Sequence, residues 1–333
     1  MAAFLFTPHL FMAYRPMQTI KNLQTLRAVG AAMIFAHHFG FKNHIVDSFG
    51  DCGVCWFMML SGFIGYGVWS SRPHDGDRSS LIAETAGYIK KRVSKIAPFY
   101  YVGLLVALIL AKFTYSALSV STAILMIQSW IPERDVFFGP NAPAWFVSSL
   151  MFCLVLFPLL RRLPESTLFK ILSLTIIVYL CVLLFIPEHR QLYWIYIFPP
   201  MQFPSFLIGM VIWPLATKCK SKIHSAISAN AINVIAWGFT ILLILNHHSI
   251  PYAFRLSSYW WIGTGLLIIG LTVTDKIRCV FTKVMHLTIF QKLGDASMSF
   301  YLLHLPWIYS FRIILRHLVE YRIINELTLT AEF

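Results

Sequence analysis

Residues 23–41 read LQTLRAVGAAMIFAHHFGF, an apolar run with Arg27, His37 and His38 set inside it. A run of about 20 apolar residues is long enough to cross a bilayer as a helix. At ~1.5 Å of rise and ~100° of turn per residue, Arg27 and His38 fall on one face, roughly 16 Å apart along the axis, and His37 lies about 80° off it. Ionisable groups at membrane depth usually face a bundle interior or a wet cavity, and mark functional sites. The plainer alternative is an arginine at the helix mouth and a histidine pair near the far interface.

The chain around this stretch has the same character. It has 333 residues, 58% hydrophobic and 12% charged, with a mean hydropathy of +0.68. Soluble domains carry about 25% charged residues. Apolar segments fall near 22–41, 52–69, 96–113, 119–132, 144–160, 168–186, 192–215, 231–245, 256–274 and 297–315. The expected fold is an all-α polytopic transmembrane bundle of nine to ten membrane segments, one domain over residues 1–333, with no internal repeat and no appended soluble domain. Residues 1–14 lack a basic leader and Arg15-Pro16 ends their apolar run, so no cleavable signal peptide is expected.

Lys and Arg number 27 against 14 Asp and Glu, a net charge of +13. In a soluble protein that surplus would point to nucleic acid. Here the basic residues sit in short loops between apolar runs, and the positive-inside rule explains most of them. The expected partner is the lipid bilayer, with no nucleic acid, and the sequence sets no oligomeric state. Arg15 and Lys21, then Arg72, Arg78, Lys90, Lys91, Arg92 and Lys95, place the N-terminus in the cytoplasm and the stretch Lys42–Asp51 outside. Ten crossings would put Arg161, Lys218 and Lys276, with their basic neighbours, outside. A re-entrant fourth segment, the shortest, would return all three loops to the cytoplasm. Segment 7 is broken by Pro199, Pro200 and Pro204, a feature of helices that line cavities and also of simple kinks. Of six cysteines only Cys52 and Cys55 form a C-x-x-C, and zinc would want a second pair. His247-His248 sits in a short loop without further ligands in sequence. No metal is expected.

The first segment, with an arginine ahead of a histidine pair, resembles the opening helix of the acyltransferase 3 family of integral membrane enzymes. Further stretches agree in order. FMMLSGFIGYG at 57–67 resembles the second helix with its Ser-Gly-Phe, here Ser61, Gly62 and Phe63. KKRVSKIAPFYY at 90–101 resembles the basic lead into the third, with Arg92, Lys95 and Pro98. NAPAWFVSSLMFCLVLFPLL at 141–160 resembles the segment centred on a tryptophan, here Trp145, and FPSFLIGM at 203–210 the helix with Phe206 and Gly209. LGDASMSFYLLHLPW at 293–307 resembles the last helix, with Gly294, Ser297, Tyr301 and His304. The chain departs from the family in three places. Cys55 stands where many members have aspartate, Leu150 where many have glutamate, and Lys95 where the second basic residue is often arginine.

The resemblance implies transfer of an acyl group, usually acetyl, from acetyl-CoA to a sugar. In size the chain is similar to the short bacterial and phage O-antigen acetyltransferases, which implies the bacterial inner membrane, a lipid-linked or exported lipopolysaccharide O-antigen as acceptor, and rhamnose as one acceptor sugar. His38 is the expected base for the sugar hydroxyl, with His37 in reserve, because an unperturbed imidazole titrates near neutrality. Arg27 is expected at the pyrophosphate or thioester of acetyl-CoA. Arg92, Lys95 and Lys91 are expected at its phosphates, Arg92 foremost because its planar fork matches phosphate. Ser61 either donates to a substrate oxygen or bonds back into its helix. Asn141 and Trp145 are expected as a sugar platform. Tyr301 and His304, three apart on one helix face, line the same cavity or sit in the core. The competing expectations are a transporter or flippase, against which the missing repeat counts, and an acyltransferase for exopolysaccharide or a small lipophilic acceptor.

Overall fold

The computed structural model describes residues 19–41, 43–71 and 80–320. The first helix, α1 (Lys21–Phe39), ends where Gly40 adopts a left-handed backbone with φ of 98°. The next, α2 (His44–Ser70), starts well before its apolar run at 52, because Asn43 caps it: its side-chain oxygen accepts from the Ile45 N–H at 2.8 Å. Asp47 and Asp51 therefore lie on the first turns of a helix rather than in a loop. Ser80 caps α3 (Leu81–Leu110) in the same way, through the Ala83 N–H.

Segment 4 does not make a spanning helix. Its helical part, α4 (Ala117–Ile124), has eight residues, about 12 Å of length against a hydrocarbon core of ~30 Å. The α3 hydroxyls of Tyr100 and Tyr101 donate to the Ala123 and Ile124 carbonyls at 2.7 and 2.9 Å, which satisfies the end of this short helix. The chain then passes through short turns into α5 (Trp145–Leu160), α6 (Glu165–Phe185), α7 (Pro199–Lys220), α8 (Ala226–Asn246), α9 (Ser258–Thr274) and α10 (Thr288–Glu320). Among the described residues seven helices are long and apolar enough to cross a bilayer, and the bent pair Glu188–Ile197 and Pro199–Lys220, taken as one span, makes an eighth. The more polar α1 is wedged between α2 and α10.

The two ends of the bundle are fixed by hydrogen bonds. At the Arg27 end, the Asn22 N–H donates to Asp275 and its side-chain amide to the Leu271 carbonyl, both at 2.9 Å, joining the start of α1 to the end of α9. Glu84 pairs with Arg161 and Arg162 there, joining α3 to α5. At the His38 end, Arg312 donates to the Phe39 carbonyl at 2.7 Å. With α4 not crossing, the basic loops at Arg161, Lys218 and Lys276 fall at the Arg27 end beside Lys90 and Arg92. Arg15, Lys42, Arg72 and Arg78, together with residues 1–14, lie outside the described residues.

Segment 7 is bent by 49° between Leu192–Ile197, a π-helical turn, and α7. The bend frees two carbonyls, and both are met by protein. Gln202 donates to Tyr196 at 2.6 Å and Ser149 to Ile197 at 2.9 Å. Outward faces are apolar, as lipid contact requires: Phe185 is 84% exposed and Ile235 68%.

Helices meet most closely at glycines. A methyl group at Gly62 would overlap the Phe206 carbonyl, and one at Gly209 would overlap the Met59 carbonyl, so α2 and α7 touch backbone to backbone. A methyl group at Gly294 would likewise overlap the Gln24 carbonyl, where α10 meets α1. Small residues let membrane helices approach in this way. Gly62→Ala and Gly209→Ala are therefore expected to lower the amount of folded protein in membranes and its melting temperature in detergent by several degrees. Gly238→Ala, on a helix surface with nothing within 4 Å, should be neutral or stabilise by about 0.5–1 kcal/mol. Equal melting curves for all three would refute the backbone-contact reading.

Candidate active site

At the His38 end the helices enclose a cavity of about 370 Å³. Ile34, His37 and His38 of α1 form one wall, and Asp47, Gly50, Asp51 and Val54 of α2 another. The α2 residues are spaced 0, 3, 4 and 7, one face of a helix. Trp145, Tyr196, His247, Tyr252, Arg255 and Tyr301 complete the lining with their neighbours. Gly50 makes room for His37, whose ring lies where a β-carbon would sit.

The tautomer of His38 follows from its partners. Its Nδ1 lies 2.9 Å from the Ile34 carbonyl, which only accepts, so Nδ1 carries the proton. The same reasoning applies to His304, whose Nδ1 lies 2.6 Å from the Tyr301 carbonyl. The His304 Nε2 thus holds a lone pair, 3.2 Å from His38 Nδ1, and accepts from the same N–H. His38 Nε2 is left unprotonated, the atom that can take a proton. His304 is 2% exposed and stands behind His38 rather than in the cavity wall. It positions the imidazole as a second-layer hydrogen-bond partner does.

A second cavity, of about 360 Å³, lies at the Arg27 end. Arg27, Ser61, Arg92, Lys95, Leu150 and Asp295 are among its walls. Arg27 donates to Gln24 at 3.0 Å, and Gln24 donates to Asp295, so the guanidinium is aimed by a short chain of polar groups. Arg92 lies over the Tyr88 ring, 5.2 Å from its centre. Three cations and one carboxylate leave this cavity electropositive. Ser61 gives its hydrogen to the Phe57 carbonyl at 2.7 Å and keeps its lone pairs.

One layer of rings separates the two cavities. Phe57 faces the Arg27 cavity and Tyr301 the His38 cavity, with ring centres 6.1 Å apart. Phe146 packs against both, at 6.5 and 5.5 Å. Tyr301 is held by its hydroxyl, which donates to the Pro143 carbonyl at 2.6 Å.

The structure sorts the residues expected from sequence. His37, His38, Trp145 and Tyr301 share the first cavity, and Arg27, Arg92, Lys95 and Ser61 the second. Lys91 is exposed on α3 and lines neither. Asn141 lies outside the cavity that Trp145 lines: it is buried, and its amide donates to the Leu302 carbonyl at 2.9 Å, tying the loop before α5 to α10. Cys55 is buried in the core beside Met59 and Thr264, and Asp51, one turn earlier, lines the cavity together with Asp47. Tyr196 and Arg255 were not singled out from sequence; Asp51 was read at the end of an outer loop, as the carboxylate nearest position 55, and His247 in a short loop without a ligand role. The spacing of Asp47, Gly50, Asp51 and Val54 was the available signal, hidden by reading that stretch as a loop. His248 does have neighbours in space: ligand atoms of His44, Asp47 and His248 lie within 4.8 Å of one another, all three exposed at the rim.

The hydrogen-bond directions at His38 are open to a direct check. In ¹⁵N-histidine NMR of the protein in detergent, His38 should appear as the Nδ1–H tautomer with Nε2 unprotonated at neutral pH. His304→Phe should broaden or move that signal. A dominant Nε2–H signal for His38 in the wild type would reject the assignment.

Comparison with known proteins places this arrangement. A family model described as an acyltransferase domain matches residues 20–330. The acyltransferase MdmB of Streptomyces mycarofaciens is 24% identical over 320 residues, covering 86% of this chain and 78% of that protein. No solved structure gives a significant match. The chain, a multi-pass helical membrane protein with a histidine cavity and a cationic cavity back to back, belongs to the acyltransferase 3 family.

Proposed function

We propose that this membrane acyltransferase moves an acetyl group from acetyl-CoA to a sugar hydroxyl of a bacterial surface polysaccharide, with lipopolysaccharide O-antigen as the foremost acceptor. The observation that carries the reading is the pair of opposed cavities on one helix. Arg27 and His38 are eleven residues apart, about 16 Å of helix, which is comparable to the reach of a pantetheine arm. In this reading the N-terminus is cytoplasmic in the inner membrane, and the Arg27 cavity opens to acetyl-CoA. Arg27, Arg92 and Lys95 hold phosphate oxygens as charge-assisted hydrogen-bond donors. The thioester passes the layer of Phe57, Phe146 and Tyr301, whose rings turn to admit it.

On the other side His38 Nε2 takes the proton of the acceptor hydroxyl. The alkoxide oxygen attacks the thioester carbonyl, the C–S bond breaks, and the thiolate leaves. The His38 imidazolium then returns its proton to that sulfur. No acyl-enzyme is needed. His304 accepts the Nδ1 hydrogen bond throughout and stabilises the charge that builds on His38. A positioned base of this kind contributes about 10²–10⁴ in rate.

The test is the O-acetyl content of surface polysaccharide, read by NMR, in cells with matched membrane levels of each variant. The wild type should add an acetyl signal, which His38→Ala should lower by at least about 10². With purified protein, Arg27→Ala should raise the KM for acetyl-CoA about tenfold or more, the loss of a charge-assisted contact. His304→Ala should lower kcat with little change in either KM, and His304→Gln, which can donate and accept in place of both ring nitrogens, should restore part of it. Full activity of His38→Ala would sink the mechanism, and an acetylated lipid or free small molecule with unmodified glycan would replace the acceptor.

A further inference from the structure

His247 is a buried histidine with two unpaired ring nitrogens: it is 2% exposed, and neither nitrogen has a hydrogen-bond partner among the described residues. Buried polar groups are nearly always paired, and an unpaired one costs about 1–3 kcal/mol. Packing holds the ring in place: it stacks on Trp260 at 5.8 Å and meets His248 edge-on at 4.9 Å. It lines the His38 cavity, and its Nε2 stands 4.0 Å from Asp51 Oδ2, beyond hydrogen-bond reach. Asp51 is in turn an acid set deep in an apolar bundle, with its side chain 19% exposed. Its neighbours are His247, the Tyr196 hydroxyl and His37, with no arginine or lysine among its interacting groups. An imidazole with both nitrogens unpaired, 4.0 Å from a carboxylate that faces the same cavity, leaves a gap that a small polar group can bridge.

We propose that Asp51 and His247 form the subsite that grips the acceptor, and that they recognise a hydroxyl next to the one presented to His38, so the acceptor class is a vicinal diol. This rests on the function proposed above. Asp51 accepts from the neighbouring hydroxyl, and that oxygen accepts from or donates to His247, so one group satisfies both side chains. The Trp145 and Tyr196 rings, 4.7 Å apart at the same cavity, offer an apolar surface for the C–H face of a sugar ring. The role of the pair is selection: it fixes which hydroxyl of the diol reaches Nε2 of His38. A site built to hydrogen-bond a hydroxyl rejects an analogue without it far more strongly than an apolar pocket rejects an extra methyl.

The subsite explains why the carboxylate need not stand at position 55. A residue one turn earlier on the same α2 face still enters the cavity, as Asp51 does between Asp47 and Val54.

The experiment uses purified full-length protein in detergent, with CoA release from acetyl-CoA as readout. The acceptors are methyl glycosides with cis or trans vicinal diols, their deoxy analogues lacking the neighbouring hydroxyl, and a simple mono-alcohol. The wild type should prefer a diol over its deoxy analogue by tenfold or more in kcat/KM. In Asp51→Asn and His247→Phe that preference should collapse to within about threefold, through the KM for the diol, with the KM for acetyl-CoA unchanged. Both variants should keep wild-type melting temperatures, and a second, milder variant, His247→Gln, should retain part of the preference. If the wild type turns over glycosides and depends on His38, yet the variants keep the full diol preference, the subsite is wrong and the function stands. If the mono-alcohol serves as well as any diol in the wild type, both the sugar reading and the subsite fall.

Discussion

Backbone contact at three glycines sets the geometry on which everything else in this protein depends. Within a bilayer, lipid offers apolar side chains as good an environment as a neighbouring helix does, so hydrophobic burial does little to draw helices together. Close van der Waals approach takes its place. Gly62 against Phe206 and Gly209 against Met59 lock α2 to α7, and Gly294 against Gln24 locks α10 to α1. These contacts put His304 of α10 within hydrogen-bond range of His38 of α1 and bring the bent entry to α7 against the cavity. Residues that look like pieces of a chemical motif in the sequence are thus divided in labour. The glycines of Ser-Gly-Phe and Phe-x-x-Gly are spacers, and the polar groups beside them are free to serve a site.

The same division explains how much was legible beforehand. The helical bundle was readable because spanning helices must be long and apolar, and that signal is local. The arginine and histidines of α1 were readable because charge is rare in such runs. What sequence could not give was pairing across the bundle. His304 is a core histidine by its burial and a positioning residue by its bond to His38, and both alternatives weighed from sequence were incomplete. Asn141 has the chemistry of a sugar ligand and is spent on a backbone carbonyl. Asp51 was read as the end of an outer loop because the polar residues ahead of an apolar run look like loop, while a single cap at Asn43 turns them into two helical turns. The fourth segment was decided by length: eight residues at α4 are too short to traverse a bilayer.

The break at segment 7 shows how one feature can suggest two functions. Interrupted helices are common in transporters, where freed backbone meets the cargo. Here the Tyr196 and Ile197 carbonyls are both taken, by Gln202 and Ser149. The break delivers a side chain instead, turning Tyr196 into the cavity beside Asp51. A fixed, satisfied bend suits a wall that holds one geometry, and a site for acyl transfer requires that more than it requires motion.

The wall between the cavities imposes a last requirement. A thioester is hydrolysed by any water that a nearby base can activate, so a cavity holding both a free imidazole Nε2 and a continuous water path to the donor would waste acyl groups. Phe57, Phe146 and Tyr301 keep the two cavities apart with a single thickness of ring, and Leu150 rather than a carboxylate lines the Arg27 side. On the proposed function, an apolar residue at position 150 keeps the passage dry where the thioester would wait, and Asp51 stands on the acceptor side. The proposal puts the cations with the phosphates and the base with the alcohol, so that only the acyl group has to cross. In that proposed arrangement the seal and the cation cavity would govern donor use, while Asp51, His247 and the cavity rim would govern acceptor choice. Acceptor preference can then change through substitutions on one side of the rings without disturbing the donor site on the other.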